Sequence, residues 1–448
     1  MPRQPHNSRQ MRQDDVAPAA TILDVIAYYN QKIAPDLTVN EVWASMFMLD
    51  VGSWFGFHQS SQHLYICIVA LHRAIQKNPD IMQHQWMHDR TGMNDSENVE
   101  MLHYHQACAA RLLSEGISTA TSTNPNHTLL SGVAMFLCLQ VQQGAYTPWR
   151  SHLNGAHGLL NFWGERTCLG SHDSIYFTIM TTNIFGSTTT PSHLFSEDTI
   201  AQHLFYLDII DSLQFESIVS LVPVPNILLK AVIEINLFRA KRRLTRYPSS
   251  LEVKLKTARI DADELLSLLQ QFPSKTWAES TIHRQQAFTS KMSEDLNCTG
   301  IQASLEGWQH LAESFRMAII IYLISSVTSG NKSRHASWKT YRAAAYCTLK
   351  GTIHWLCEQA TNGGTLHKFI LWPMVIAGIE TVHIGDREYA TFIKTQLLGL
   401  SRDLGTLAMR DAALFLDGLW SKCHDSGQGN SETIGWDATF TGAPLFVM

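Results

Sequence analysis

The sequence predicts an all-α fold, an irregular multi-helix bundle of roughly a dozen helices, and three observations carry that expectation. Apolar residues recur at three- and four-residue spacing through nearly every readable segment. No convincing run alternates apolar and polar residues as a half-buried strand does. Of the 448 residues, 45% are hydrophobic and only 16% charged, a composition that supports a large buried core rather than disorder.

In chain order, residues 1–19 read as a disordered tail without the apolar run of a signal peptide. Residues 20–448 read as one helical domain. Ile22, Ile26, Tyr29 and Ile33 form the first stripe. Thr38–Glu41 reads as a capping box ahead of Val39, Val42, Trp43, Met46 and Phe47. Leu64, Ile68, Leu71 and Ile75 mark a third helix, and Val99, Leu102, Ala109 and Leu113 a fourth. Leu129 to Val141 is apolar all round and is expected to be buried. A further helix runs through the stretch that follows Trp149. The second half supplies helices over 204–222, 226–244, 260–271, 305–327, 338–358, 370–382, 386–404 and 406–420. Breaks are expected at 119–127, 170–191 and 273–299, with 272–300 the candidate flexible insertion. The end, WDATFTGAPLFVM, reads as non-helical.

Charge and cysteine usage narrow the function. Thirty-four basic against 39 acidic residues leave a net charge of −5, which gives no whole-chain attraction to nucleic acid. Eight cysteines, none in a Cys-x-x-Cys pair, are the pattern of a reducing compartment with unbridged thiols. The longest apolar run, Met317–Ile324, is far shorter than the roughly 20 residues of a membrane span. A soluble, intracellular protein without a membrane partner is expected.

The usual constellations of chemistry are missing. His103 and His105 are two apart, so on a helix they point in different directions and cannot share an ion. His84 and His88 could share a face but lack the Glu of a zinc-protease motif. No Gly-x-Ser-x-Gly elbow is present, and cysteines such as Cys67 and Cys138 lie in apolar helical surroundings that favour inert thiols. No phosphate-cradling glycine loop occurs. Hence no catalytic residue, no metal site and no cofactor are expected. One basic cluster stands out, RAKRRLTR, with Arg239, Lys241, Arg242, Arg243 and Arg246. It is either a nuclear-import or phosphate-contact element or the solvated face of a helix whose other face holds Ile235, Leu237, Phe238 and Leu244.

The stretch YTPWRSHLNGAHGLLNFWG carries Trp149, Arg150, His152, Leu153, Gly155 and Ala156. Later come Leu371, Trp372, Pro373, Ala377, Gly378, Asp386 and Arg387, then the closing DAALFLDGLW. YYNQKIAPDL opens the series and HYHQACAARLLSEG precedes the Trp149 stretch. In this order and spacing, from about residue 20 to the end, the chain resembles the fungal-specific transcription factor domain, the regulatory region that follows a zinc binuclear cluster in many fungal regulators. The cluster itself finds no counterpart, because the residues before the first helix contain no Cys.

Read from the residues alone, the Trp149 stretch is structural. Gly155 and Ala156 suit a close approach of helix backbones, at a cost of about 1 kcal/mol of helix propensity for the Gly. Trp149 can staple the helix start, His152 can hydrogen-bond across a helix junction, and Arg150 can pair at a loop.

The resemblance implies a transcriptional regulator or co-regulator of fungal genes, such as those of a secondary-metabolite cluster. It would reside in the nucleus, or in nucleus and cytoplasm. Its implied partners are a DNA-bound transcription factor, a second copy in a homodimer, or a small-molecule effector, with no sequence-specific DNA contact of its own. The alternative is a biosynthetic enzyme on the same helical scaffold, since fold does not fix function.

Overall fold

The computed structural model describes residues 18–39, 47–77, 96–121, 126–144, 149–164, 173–213, 222–241, 261–293, 303–328, 332–361, 364–425, 435–440 and 445. Among them are 17 α-helices and no strands, so the chain is all-α. The first six are α1 (Ala19–Tyr28), α2 (Val51–Gly56), α3 (Gln59–Lys77), α4 (Ser96–Thr119), α5 (His127–Gln143) and α6 (Trp149–Trp163). Then come α7 (Asp173–Thr188), α8 (Glu197–Ile209), α9 (Asn226–Lys241), α10 (Ala262–Gln271), α11 (Ser274–Ser293) and α12 (Leu305–Thr328). The series closes with α13 (Lys332–Ala360), α14 (Leu371–Ile384), α15 (Arg387–Asp403), α16 (Leu407–Asp425) and α17 (Trp436–Thr439).

Local chemistry sets several of these boundaries. α1 runs on into a π turn, Tyr29–Ile33, and then a 3-10 turn, Ala34–Leu37, with Pro35 at its start. Side chains cap several later helices: Asp50 accepts from Ser53 N–H, Asn126 from Leu129, Ser196 from Thr199, Asp261 from Asp263 and Asp386 from Tyr389. Gly385 ends α14 in the left-handed conformation, φ 77°, and its N–H returns to the Thr381 carbonyl.

Two apolar clusters organise the bundle. A small one joins α1, its π turn, α2 and α3 through Ile22, Val25, Tyr29, Trp54, Ile66 and Val69. The main core takes in α3 to α16 and ends on Trp436, Phe440 and Leu445. α12 lies at its centre, packed against α9, α10, α11, α13 and α14. By length and composition Leu305–Val327 could cross a membrane, yet 83% of its apolar window is buried inside the bundle, the position of a core helix.

Three expectations change. The break expected at 170–191 holds α7, an apolar helix whose residues 176, 177, 179, 180, 184 and 185 are all core. Its run of threonines masked the helical period. The candidate insertion at 272–300 contains α11, which packs on α12 through Ala278 and the Trp277–Trp308 ring pair, centroids 5.8 Å apart. The end read as non-helical has one short turn, α17. Residues 40–46, 78–95 and 242–250, with Asn40 and Glu41 of the Thr38–Glu41 capping box, His84, His88, Arg242, Arg243 and Arg246, lie outside the described residues.

Candidate functional site

The Thr-rich end of α7 is where distant parts of the chain meet. Ser187-Thr188-Thr189-Thr190-Pro191 stops the helix, since Pro191 can donate no amide hydrogen bond and restricts the residue before it. A helix that stops inside a core leaves its last carbonyls without helical partners, at the negative end of the helix dipole. Arg239, on α9 and only 3% exposed, supplies the answer. Its guanidinium donates to the carbonyls of Ser187 (3.0 Å), Thr188 (3.2 Å) and Thr190 (2.6 Å), and to the Tyr322 hydroxyl (2.7 Å). It also pairs with the Asp437 carboxylate at 2.5 Å. Burial opposes the charge on Asp437, but Arg239 and the Ser192 hydroxyl outweigh it and hold the carboxyl below the usual range.

Two tryptophans reach the same helix end. Trp372 donates to the Thr188 hydroxyl (2.9 Å), which itself donates to the Phe185 carbonyl. Trp436 donates to the Thr188 carbonyl (2.6 Å). Arg150 donates to the Thr190 hydroxyl and lies over the Trp149 ring, 4.6 Å from its centroid.

From Arg239 a directional relay runs inward. Tyr322 accepts from Arg239 and donates to Asn236 Oδ1 (2.5 Å). The Asn236 amide donates to His203 Nε2 (3.1 Å) and to the Ile184 carbonyl (3.0 Å). His203 Nδ1 then donates to the Thr199 carbonyl (2.8 Å), which fixes the neutral tautomer. Burial pushes the His203 pKa down to about 4. A second branch has Asn183 donating to Gln202 (2.7 Å) and Tyr206 (3.1 Å), with the Tyr206 hydroxyl bonded to His157 Nε2 (2.8 Å). Burial takes His157 down to about 3. Such a network holds helices in register and presents no nucleophile. The void beside it, lined by Phe195, Thr199, Ile200, His203, Asn236, Leu237 and Ala240, has about 140 Å³ of empty volume, below the roughly 300–1,000 Å³ of small-molecule sites.

The sequence-derived site residues fare differently. Trp149, Arg150 and Trp372 are brought together at the α7 end. Pro373 and Gly378 sit on α14, where a Cβ on Gly378 would lie 2.5 Å from the Leu416 side chain of α16. Asp386 caps α15 and accepts from Lys350 (2.7 Å) and Tyr346 (3.1 Å), and Lys350 leads the interactions that lower its pKa. Arg387 opens α15.

Corrections are needed at three positions. Gly155 is exposed with nothing near its Cβ position, so no backbone closes on it. The close-packed glycine is Gly186 on the facing α7, where a Cβ would run into the Trp149 ring. His152 lies against the Phe136 ring, centroids 4.8 Å apart, while on the same helix His157 hydrogen-bonds across to Tyr206 of α8. Arg239 leaves the basic cluster: a buried guanidinium spent on carbonyls and a carboxylate cannot meet phosphate. Lys241 stays on the half-exposed end of α9.

Sequence reasoning missed His157, Asn183, His203, Asn236, Tyr322 and Asp437 as a network. A usable signal was polar residues at core spacing, Asn183 and Asn236 among apolar neighbours, which demand partners when buried. It also missed the buried contact of His63 and His105, Nδ1 to Nδ1 2.6 Å. Among the described residues no group of three metal-ligating side chains forms. His103 is exposed while His105 is buried, as their spacing requires.

A profile for the fungal specific transcription factor domain matches residues 24–445, from α1 to the last buried leucine. The chain belongs to this family. The family match takes in both tryptophan motifs and the α7 end on which they converge. The chain is similar to the phomenoic acid biosynthesis cluster-specific transcriptional regulator of Leptosphaeria maculans, 25% identical over 371 residues. That alignment covers 80% of this chain and 62% of the relative, so the chain spans less than two thirds of the relative's length. No solved structure matches it.

Proposed function

We propose that the chain is a fungal transcriptional regulator whose helical domain governs gene expression, acting in the nucleus on a biosynthetic gene cluster through protein partners. The observation that carries this reading is the family match over residues 24–445, supported by a relative named as a cluster-specific regulator. The site agrees in kind: its buried polar groups bond chiefly to one another, its histidines are held neutral and Arg239 is paired with Asp437, the features of a scaffold. The reading assigns DNA recognition to a partner, since these residues carry no groove-reading motif and a net charge of −5. Fusing the full chain to a heterologous DNA-binding domain and measuring a reporter tests it. A reporter changed at least several-fold over the DNA-binding domain alone, with the tagged chain in the nucleus, is the expected result. An unchanged reporter from a nuclear, folded fusion would contradict it.

A further inference from the structure

The C-terminal residues Gly435–Phe440 and Leu445 dock like a bound peptide. α17 has four residues, far fewer than the roughly 12–15 an isolated helix needs, so the body of the protein holds its shape. Trp436, Phe440 and Leu445 are 2%, 1% and 0% exposed. Trp436 sets its ring against Tyr322, centroids 4.9 Å apart, and Phe440 stacks on Phe415 at 5.3 Å and 3°. The polar contacts are equally particular: the Trp436 indole N–H to the Thr188 carbonyl, the Asp437 carboxylate to Arg239 and Ser192, and the Thr189 hydroxyl to the Leu445 carbonyl.

Most of the receptor is built from residues outside the arm. Its floor is the α7 end, and the Arg239 guanidinium is already fixed there by three carbonyls and Tyr322. What the arm adds is the one carboxylate. A cation buried to 3% exposure demands a counter-charge, so an occupant must bring an acid next to an aromatic anchor. We propose that this receptor is a binding site for acidic–aromatic peptide segments of the form Trp-Asp-x-x-Phe. Its own arm fills it in cis, and the same segment carried by a second polypeptide fills it in trans. The proposal goes beyond the regulatory reading and stands on the contact geometry alone. A tethered arm competes at an effective concentration in the millimolar range, so the intact chain resists exchange and a chain with a disabled arm accepts it.

The test uses a fluorescein-labelled peptide with the sequence of residues 434–448, titrated by anisotropy into the full-length protein and into full-length Trp436→Ala/Asp437→Asn. Binding to the double variant at least tenfold tighter than to the unaltered chain is expected, and a peptide carrying Asp→Asn at the position of Asp437 binds at least tenfold more weakly. If the variant loses its cooperative melt, the peptide restores it. A folded variant that ignores the peptide, or an unfolded one that the peptide does not rescue, overturns the proposal. Hydrogen exchange on the unaltered protein gives a second reading. Amides of 436–440 are expected to exchange through local opening, faster than those in the middle of α12. Exchange of both sets at one global rate would make the arm an inseparable part of the core.

Discussion

At the residue scale, one glycine was read onto the wrong side of a contact. The Gly-Ala step beside Trp149 suggests a close helix approach, and a close approach exists, but Trp149 presses on Gly186 across the interface while Gly155 faces open space. Two substitutions separate these positions. Gly155→Ala is expected to stabilise the fold by about 0.5–1 kcal/mol, because an exposed mid-helix glycine costs backbone entropy. Gly186→Ala is expected to destabilise it by about 1–3 kcal/mol through overpacking. Thermal melts of the two variants check both, and a Gly186→Ala protein as stable as the parent would mean the Trp149 ring moves aside at no cost. Arg239 is the other decisive residue. Arg239→Met takes a donor from three helix-end carbonyls and the cationic partner from the Asp437 carboxylate, so a loss of about 3–5 kcal/mol is expected in a denaturant titration. A loss under 1 kcal/mol would show that water reaches the site.

At the element scale, helices with a clear apolar stripe were legible. The stripes of α1, α3 and α4 fall where their periods put them, and the all-apolar Leu129–Val141 became the buried α5. α7 was not legible, for a physical reason. Its threonines are weak helix formers when taken alone, but here Thr181 and Thr182 donate to carbonyls at i−4, and burial between α5, α6 and α9 supplies the stability. The network on its C-terminal end was hidden for the same reason, since a segment read as a loop offers no helix end to cap. Asp386 shows the legible case, an Asp-Arg step resolved into a cap with two further partners. Asp386→Ala removes the cap of α15 together with the Lys350 contact. A loss of about 1–2 kcal/mol is expected, and equal stability of variant and parent in a urea titration would place the start of α15 under the control of packing alone.

At the scale of the whole molecule, burial of neutral histidines sets the response to acid. His72, His105, His203 and His383 are each driven down to about 4 and His157 to about 3, chiefly by desolvation. The unfolded chain protonates its histidines near 6.5, so between pH 6.5 and 4 it binds more protons than the folded one. Stability is therefore full above 6.5 and falls as pH drops toward 4, with each unit of difference worth about 1.4 kcal/mol per group. Melting temperatures across pH 4–8 check this, and a flat profile below 6.5 would mean these rings are hydrated. The central claim is the proposal that the domain regulates transcription, which rests on the family match over residues 24–445. Transcript profiling of a strain lacking the gene, with and without the restored chain, tests it most directly. The account predicts a coordinated change in a defined gene set that the restored chain reverses. Unaltered transcripts together with accumulation of a pathway intermediate would contradict it and favour an enzyme.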